Sequence, residues 1–269
     1  MDYQICIPSY RRANTLKNKT LNVLTKYNIN PSVVTIFVAD EDEKKSYEKE
    51  LASTPFKNIV VGVLGIGNQR RFIQSYYPVG TRVVSFDDDV SEVLVKINDK
   101  KVEPVKDLEK DVILKGFEEC EKNGANLFGV YAVNNPMFMK DKVSVGLYFC
   151  VGTLHGMVIR HDPDLTVTID EKDDYQRTLQ HYVKDGAVVR LDYITIKTKY
   201  YTEPGGMQGT EARKYESILK NAKFLQDTYP DLCTMYIRES KNRAELRLRD
   251  SRKNKTEEAS SSSLESLFG

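Results

Sequence analysis

The sequence predicts an α/β fold: a Rossmann-like, mostly parallel sheet flanked by helices, with additional hairpins in the C-terminal half. Three observations predict it. Over about the first 90 residues, four apolar runs alternate with three segments of helical character, the pattern of right-handed strand–helix–strand crossovers. One run, Val33 to Ala39 (VVTIFVA), is almost unbroken, as in a parallel strand covered on both faces. Chemically active groups gather where the runs end, at Ser9 to Arg12, Asp40, Gly65 to Arg71 and Asp87 to Asp89. That is the edge at which open α/β sheets bind ligands.

The elements follow in order. Tyr3 to Pro8 (YQICIP) is the first strand, left through Ser9-Tyr10-Arg11-Arg12. Asn14 or Thr15 caps a helix to about Tyr27, with Leu16, Leu21 and Leu24 on one face. Val33 to Ala39 is the second strand, and a charged helix spans about Asp42 to Ser53. Asn58 to Val63 is the third strand; a Gly65-Ile66-Gly67 turn then opens a helix to about Tyr76. Val83 to Phe86 is the fourth strand, and it runs straight into Asp87, Asp88 and Asp89.

The second half is more mixed. Val93 to Ile97 and Lys101 to Val105 read as a hairpin, and Leu108 to Lys122 as a helix stopped by Gly124. Asn126 to Val133 and Val143 to Val151 are strands; Gly152 to Gly156 is a flexible link into Met157 to Arg160. Asp170 to about Lys184 is a helix, and Val188 to Ile196 a strand. Lys197 to Gly209 carries too many Gly and Pro residues to be regular. Glu211 to Tyr229 is an amphipathic helix, followed by a hairpin of Cys233 to Arg238 and Ala244 to Arg249. Residues 1–250 are expected to form one domain, with halves of 1–90 and 91–250. A disordered tail follows from about Ser251, where serines and charges take over.

Composition narrows the function classes. The 269 residues are 40% hydrophobic and 29% charged, with a net charge of +1, ordinary for a globular chain. No apolar run reaches the roughly 18 residues a membrane helix needs, and the N-terminus does not read as a signal peptide. Cys6, Cys120, Cys150 and Cys233 are widely spaced, which argues against zinc and for a reducing compartment. Cys6 and Cys150 read as small buried hydrophobes.

Three consecutive acids at a strand end are either an acidic turn or a cation site. Side chains alternate along a strand, so Asp87 and Asp89 can project together and offer hard oxygen ligands to Mg2+ or Mn2+. Arg11, Arg12, Arg70 and Arg71 lie in neighbouring loops and could meet the rest of a diphosphate's charge. Gly65 and Gly67 permit close backbone approach at a helix N-terminus. Asp40 either caps the next helix or accepts a hydrogen bond from a base or ribose. A second acidic cluster, Glu171, Asp173 and Asp174, opens a helix where the dipole favours acids in any case.

Taken together, CIPSYRR, FVAD, GIGNQRR and FDDD, in that order, resemble GT-A-fold glycosyltransferases over about residues 3–205. The resemblance implies a nucleotide-sugar site at Pro8, Ser9, Tyr10, Arg11, Asp40, Gly67, Arg70, Arg71 and Asp88. It implies a Mn2+ or Mg2+ ion on Asp87 and Asp89, with residues 1–90 as the nucleotide-sugar-binding half and 91–250 as the acceptor-binding half. Asp174, or else Asp173, would be the acid that deprotonates the acceptor hydroxyl of an inverting enzyme. The late histidine that many such enzymes use as a further metal ligand has no counterpart, since His155, His161 and His181 all come too early. His161 and His181 read as surface residues.

A narrower resemblance is to phage enzymes that glycosylate 5-hydroxymethylcytosine in DNA, the TET-associated glycosyltransferases and the T-even phage α-glucosyltransferases. It implies UDP-glucose as donor and double-stranded DNA containing 5-hydroxymethylcytosine as partner, the accepting base being 5-hydroxymethylcytosine or glucosyl-hydroxymethylcytosine, in the cytoplasm of an infected host cell. Its acceptor residues would be His155, Tyr200, Tyr201, Gly205, Gly206 and Arg213. Basic and aromatic residues interleave around the Gly-Gly bend, and Arg238, Lys241, Arg243, Arg247 and Arg249 gather in the late hairpin; such groups suit phosphates and bases. Leu264, Leu267 and Phe268 have one-turn helical spacing and are expected either to anchor a sliding clamp or to be an unselected tail. The competing readings are a GT-A enzyme acting on a polysaccharide or protein, a nucleotidyltransferase, and a non-enzymatic DNA-binding accessory.

Overall fold

A computed structural model describes residues 2–198, 215–239 and 243–252. The chain divides into two compact units, Met1–Thr210 and Glu211–Gly269. The sequence reading kept the late helix and hairpin with the rest, within residues 1–250. Among the described residues, no helix is long and apolar enough to cross a membrane.

The first unit opens with β1 (Gln4–Pro8), β2 (Val34–Val38), β3 (Ile59–Val61) and β4 (Arg82–Phe86). These four are mutually parallel, in the spatial order β3-β2-β1-β4. Every residue of β2 is buried, in keeping with its unbroken apolar sequence. The crossovers are α1 (Ala13–Asn18) with α2 (Thr20–Lys26), α3 (Glu41–Glu50) and α4 (Ile66–Tyr76). The single helix expected up to Tyr27 is thus broken at Lys19, whose backbone leaves the helical region at φ −115°, ψ −90°. The break places Thr20 against the acidic turn, with consequences described below.

The sheet continues with β5 (Glu92–Asn98), β6 (Lys101–Pro104), β7 (Leu127–Tyr131), β8 (Val143–Gly146), β9 (Leu154–Val158) and β10 (Val188–Lys197). Its full order is β3-β2-β1-β4-β9-β7-β10-β5-β6, with β8 also paired to β10. The hairpin strands β5 and β6 lie at one edge, and β9 runs antiparallel to both β4 and β7. Hence β7 runs the same way as β4. The run expected to be strand up to Val151 stops at Gly146, which sits at φ 133°, a conformation that favours glycine. The helix before β7 opens with a wide π-helical turn at Glu109–Leu114 and continues as α5 (Lys115–Lys122). One continuous core joins Ile5, Ile7, Leu16, Leu24, Ile36 and Phe86 of the parallel half to Phe117, Phe128 and Leu191 beyond it. Cys6 and Cys150 are free and buried, as expected.

The helix α6 (Asp173–Asp185) starts three residues later than expected because Lys172 is left-handed at φ 67°. Thr166 to Lys172 therefore form a strap outside the helix. In the second unit, α7 (Tyr215–Thr228) buries Ile218, Ala222 and Leu225 and packs on the hairpin β11 (Cys233–Arg238) and β12 (Arg243–Leu248).

Candidate active site

The parallel strands deliver Ser9, Asp40 and Asp87 to one edge of the sheet. There, the main chain of the acidic run is fixed from two directions. Asp87 N–H donates to Thr153 O at 2.9 Å. Thr20, brought in by the helix break, donates its hydroxyl to Asp87 O at 2.7 Å and accepts from Val90 N–H at 3.0 Å.

The three carboxylates diverge. Asp88, expected to face the nucleotide sugar, turns inward and is 3% exposed. It accepts from Ser9 Oγ at 2.6 Å and Arg12 Nη1 at 3.1 Å. Ser9 and Tyr47 share a 2.7 Å hydroxyl contact, and Arg12 N–H donates to Tyr47 Oη. Burial pushes the Asp88 carboxyl up to about 7, against the opposing pull of Arg12 and Ser9. Asp88 and Ser9 thus tie the β1 loop to the acidic turn. Asp87 keeps about a third of its side chain exposed, and Asp89 lies 3.8 Å from Arg12.

Arg70, on α4, reaches both acidic clusters. Its Nη2 is 3.7 Å from Asp87 Oδ1, and its Nε is in close ion-pair contact with Asp173 Oδ2. Arg177 Nη1 approaches the same Asp173 oxygen at 3.6 Å. Burial works against the Arg70 charge, but Asp173, Asp87 and Asp174 outweigh it and raise its pKa. Asp174 is held differently. It accepts from the backbone N–H groups of Gly152 at 3.2 Å and Tyr175 at 2.9 Å. Burial first, then neighbouring Asp173, pushes its carboxyl up to about 6. Sequence reasoning gave Arg177 no role, although its place one turn after Asp173 on a helix was a usable signal.

The strap covers the start of α4. Gly67 N–H donates to Asp170 Oδ1 at 2.9 Å, and Arg71 Nη1 donates to Val167 O at 2.8 Å. Gln176 Oε1 receives Thr168 N–H. The helix N-terminus expected to meet an external anion is therefore met by the chain's own carboxylate. Asp40 caps α3, accepting from Glu43 N–H at 2.9 Å. Arg11 sits at φ 55°, with its N–H on Glu43 Oε2 and its guanidinium 4.9 Å from the Tyr10 ring.

His155 corrects an expectation. It lies on β9, not in a loop, and is 1% exposed, with Nδ1 3.1 Å from Gly152 O. A buried residue in mid-sheet cannot greet an acceptor. Burial, with Arg177 and Arg70 nearby, holds its pKa well below the ordinary value, so the ring is neutral. It borders a cavity of about 20 Å³ with Cys6, Ser85, Arg70, Arg177 and His181. Neither His155 Nε2 nor Ser85 Oγ has a hydrogen-bond partner among the described residues, and the space matches one water molecule. His181, expected at the surface, is 2% exposed and engages Arg160 and Asp185.

Among the described residues, no three His, Cys, Asp or Glu side chains gather as a metal cage. The donor set that could hold a cation is Asp87 with Asp89, two hard oxygen donors that leave positions for phosphate oxygens and water. Tyr200, Tyr201, Gly205, Gly206 and Arg213, expected at the acceptor, lie outside the described residues, as do Leu264, Leu267 and Phe268.

The sheet order, the helices on its faces and the polar edge define a GT-A fold, the class to which solved structures also point. The chain is similar to residues 1–349 of S. aureus TarS in complex with UDP-GlcNAc, with a TM-score of 0.55 at 15% sequence identity. The match covers 84% of this chain and 67% of that one. A mannosyltransferase from Pyrobaculum calidifontis, in complex with GDP-Man and Mn2+, matches at a TM-score of 0.44 and 13% identity. That match covers 65% of this chain and 50% of that one, too loosely to argue from. No family model and no curated protein matches the sequence.

Proposed function

We propose that the chain is a nucleotide-sugar-dependent glycosyltransferase that moves glucose from UDP-glucose to 5-hydroxymethylcytosine in DNA. One observation carries the transferase reading: Arg70 stands between Asp87 and Asp173. Acids suited to a donor's cation and acids suited to an acceptor's hydroxyl thus converge on one guanidinium.

Asp87 and Asp89 would hold Mn2+ or Mg2+, which when bound supplies positive charge against the departing diphosphate. Arg70 adds a fixed positive charge where negative charge grows on the leaving group. Asp173 is committed to two arginines and makes a poor base. Among the described residues, the Asp174 carboxylate is bonded only to backbone N–H groups, and with its pKa near 6 it is ionised at neutral pH. It is the residue suited to take the acceptor's proton in an inverting transfer.

The DNA acceptor rests on the sequence resemblance and on the second unit. The hairpin places Thr234, Tyr236 and Arg238 opposite Arg247, Glu245 and Arg243 on one face. Tyr236 is 45% exposed and the Arg247 guanidinium lies 5.8 Å from its ring. Such a face suits phosphate and base contacts.

The test is to incubate the protein with a panel of sugar nucleotides and hydroxymethylated duplex DNA, then to weigh the nucleosides by mass spectrometry. A hexose-bearing 5-hydroxymethyldeoxycytidine is expected, and Asp89→Ala abolishes it while keeping the native circular dichroism spectrum. Transfer to a glycan or protein but not to DNA would move the acceptor assignment. Release of pyrophosphate instead of a nucleoside diphosphate would replace the reaction class.

A further inference from the structure

Arg70 holds its two acids unequally. The Asp173 contact is a close ion pair, made where Asp173 is only 13% exposed. The Asp87 contact is 3.7 Å long, beyond hydrogen-bonding distance, and Asp87 is 35% exposed. Asp173 has a second cation in Arg177, at 3.6 Å. Among the ion pairs of the described residues, Asp87 has Arg70 alone. The Asp87 main chain is pinned by Thr153 and Thr20, so its carboxylate stays at the edge whatever it binds. Arg70 cannot follow it outward, because its guanidinium is buried against α6.

We propose that Arg70 is an internal counter-cation that neutralises Asp87 in the unliganded protein and competes with a divalent cation for it. The inference rests on reading Asp87 and Asp89 as the metal pair. It adds a regulation of that pair. Metal affinity is set low by Arg70, and capture of Asp87 by a metal ion leaves the guanidinium wholly to Asp173. Donor loading is thereby coupled to the acid cluster on α6, through one side chain shared by both. A cation arriving with a diphosphate brings extra ligands and wins Asp87, whereas a bare cation must displace Arg70 for two carboxylates.

The coupling predicts opposite responses to two substitutions, neither of which removes a metal ligand. Arg70→Gln frees Asp87 and should tighten binding of Mn2+ alone, without nucleotide, by about fivefold, the scale of a partly exposed ion pair. Asp173→Asn leaves Arg70 with Asp87 as its near carboxylate and should weaken Mn2+ by a similar factor. Asp174→Asn removes the same charge from the same helical turn but no contact of Arg70, and should weaken Mn2+ much less.

The measurement is Mn2+ binding to the full chain by electron paramagnetic resonance, with circular dichroism to confirm the fold and Arg70→Lys as a second variant. The lysine keeps a charge without the fork, and its affinity should fall between those of wild type and Arg70→Gln. Arg70→Gln binding no tighter than wild type would overturn the inference, and so would equal weakening by Asp173→Asn and Asp174→Asn. In either case, loss of Mn2+ binding in Asp89→Asn would leave the metal-pair reading intact. Mn2+ binding that Asp89→Asn does not alter, or no binding at all, would overturn both.

Discussion

Replacing Asp88 by Asn should make the protein more stable relative to wild type as the pH rises, although it removes a charge that faces an arginine. Asp88 is 3% exposed and its pKa is pushed up to about 7 from an ordinary 3.8, chiefly by burial. The folded state therefore holds this proton more tightly than the unfolded chain. The resulting stability is full below about pH 4 and is lost as the pH climbs to about 7. The slope is about 1.4 kcal/mol per pH unit. From about pH 5 to about pH 7 the wild type thus loses roughly 3 kcal/mol at this residue, and little more above that. Asn is neutral throughout; its one oxygen can replace Oδ1, which accepts from Arg12 Nη1 at 3.1 Å, while its NH2 stands where Oδ2 accepts from the Ser9 hydroxyl at 2.6 Å, so that hydroxyl must turn to accept. Whatever constant offset the substitution brings, the variant should gain about 3 kcal/mol on wild type between about pH 5 and about pH 8. In melting temperature this is roughly 6–12 °C for a chain of this size. Thermal melts followed by circular dichroism at both pH values give the comparison. A melting difference that is the same at both would refute the reasoning, since it would mean that Asp88 is ionised throughout and that Arg12 fully offsets its burial.

Transferase activity should fall as the pH drops through about 6, because Asp174 must be ionised to accept a proton and its pKa is raised to that value. Asp174→Asn should reduce kcat by about 10²–10⁴ at neutral pH; a flat pH–rate profile, or a variant with ordinary kcat, would remove Asp174 from the role. Gly67→Ala would put a methyl carbon 2.6 Å from Asp170 Oδ1 and 3.1 Å from Ile169 O, forcing the strap away from α4. The lost contact at the helix start should cost about 1 kcal/mol, read as a lowered midpoint in urea, and unchanged unfolding would show that the strap contributes nothing to stability.

The parallel half was legible because its strands bury both faces, so their apolar runs are continuous and their polar ends stand out. The break at Lys19 was not legible. Leu16, Leu21 and Leu24 keep their spacing across it, and the reason for it is Thr20 meeting Asp87 O and Val90 N–H from far along the chain. His155 was misplaced for a related reason. Gly152 and Gly156 suggest a flexible loop, yet Gly156 lies in β9, where any side chain would collide with the Phe128 ring. Its glycine marks close packing, and nothing in a local window separates that from flexibility. Alternation along a strand would pair Asp87 with Asp89, yet the strand ends at Phe86, and Asp88 and Asp89 both meet Arg12 while Asp87 meets Arg70. Nor could alternation tell that the inward acid would be the one holding Ser9 and Arg12. Asp40 had two open roles, and the capping contact to Glu43 N–H is the one its geometry displays.

The segment GIGNQRR takes on a different sense once its contacts are followed. Gly67, Arg70 and Arg71 are spaced three and four residues apart, so they share one face of α4. All three point at the same stretch of chain: Gly67 at Asp170, Arg71 at Val167 and Arg70 at Asp173. The glycine is small in order to admit an internal carboxylate, and the arginines hold an internal strap. Only Arg70 also reaches the strand-end acids, through Asp87. This face of α4 therefore positions the α6 acids against the strand-end acids. A substitution on it disturbs both clusters together, since Arg70 meets Asp87 on one side and Asp173 on the other.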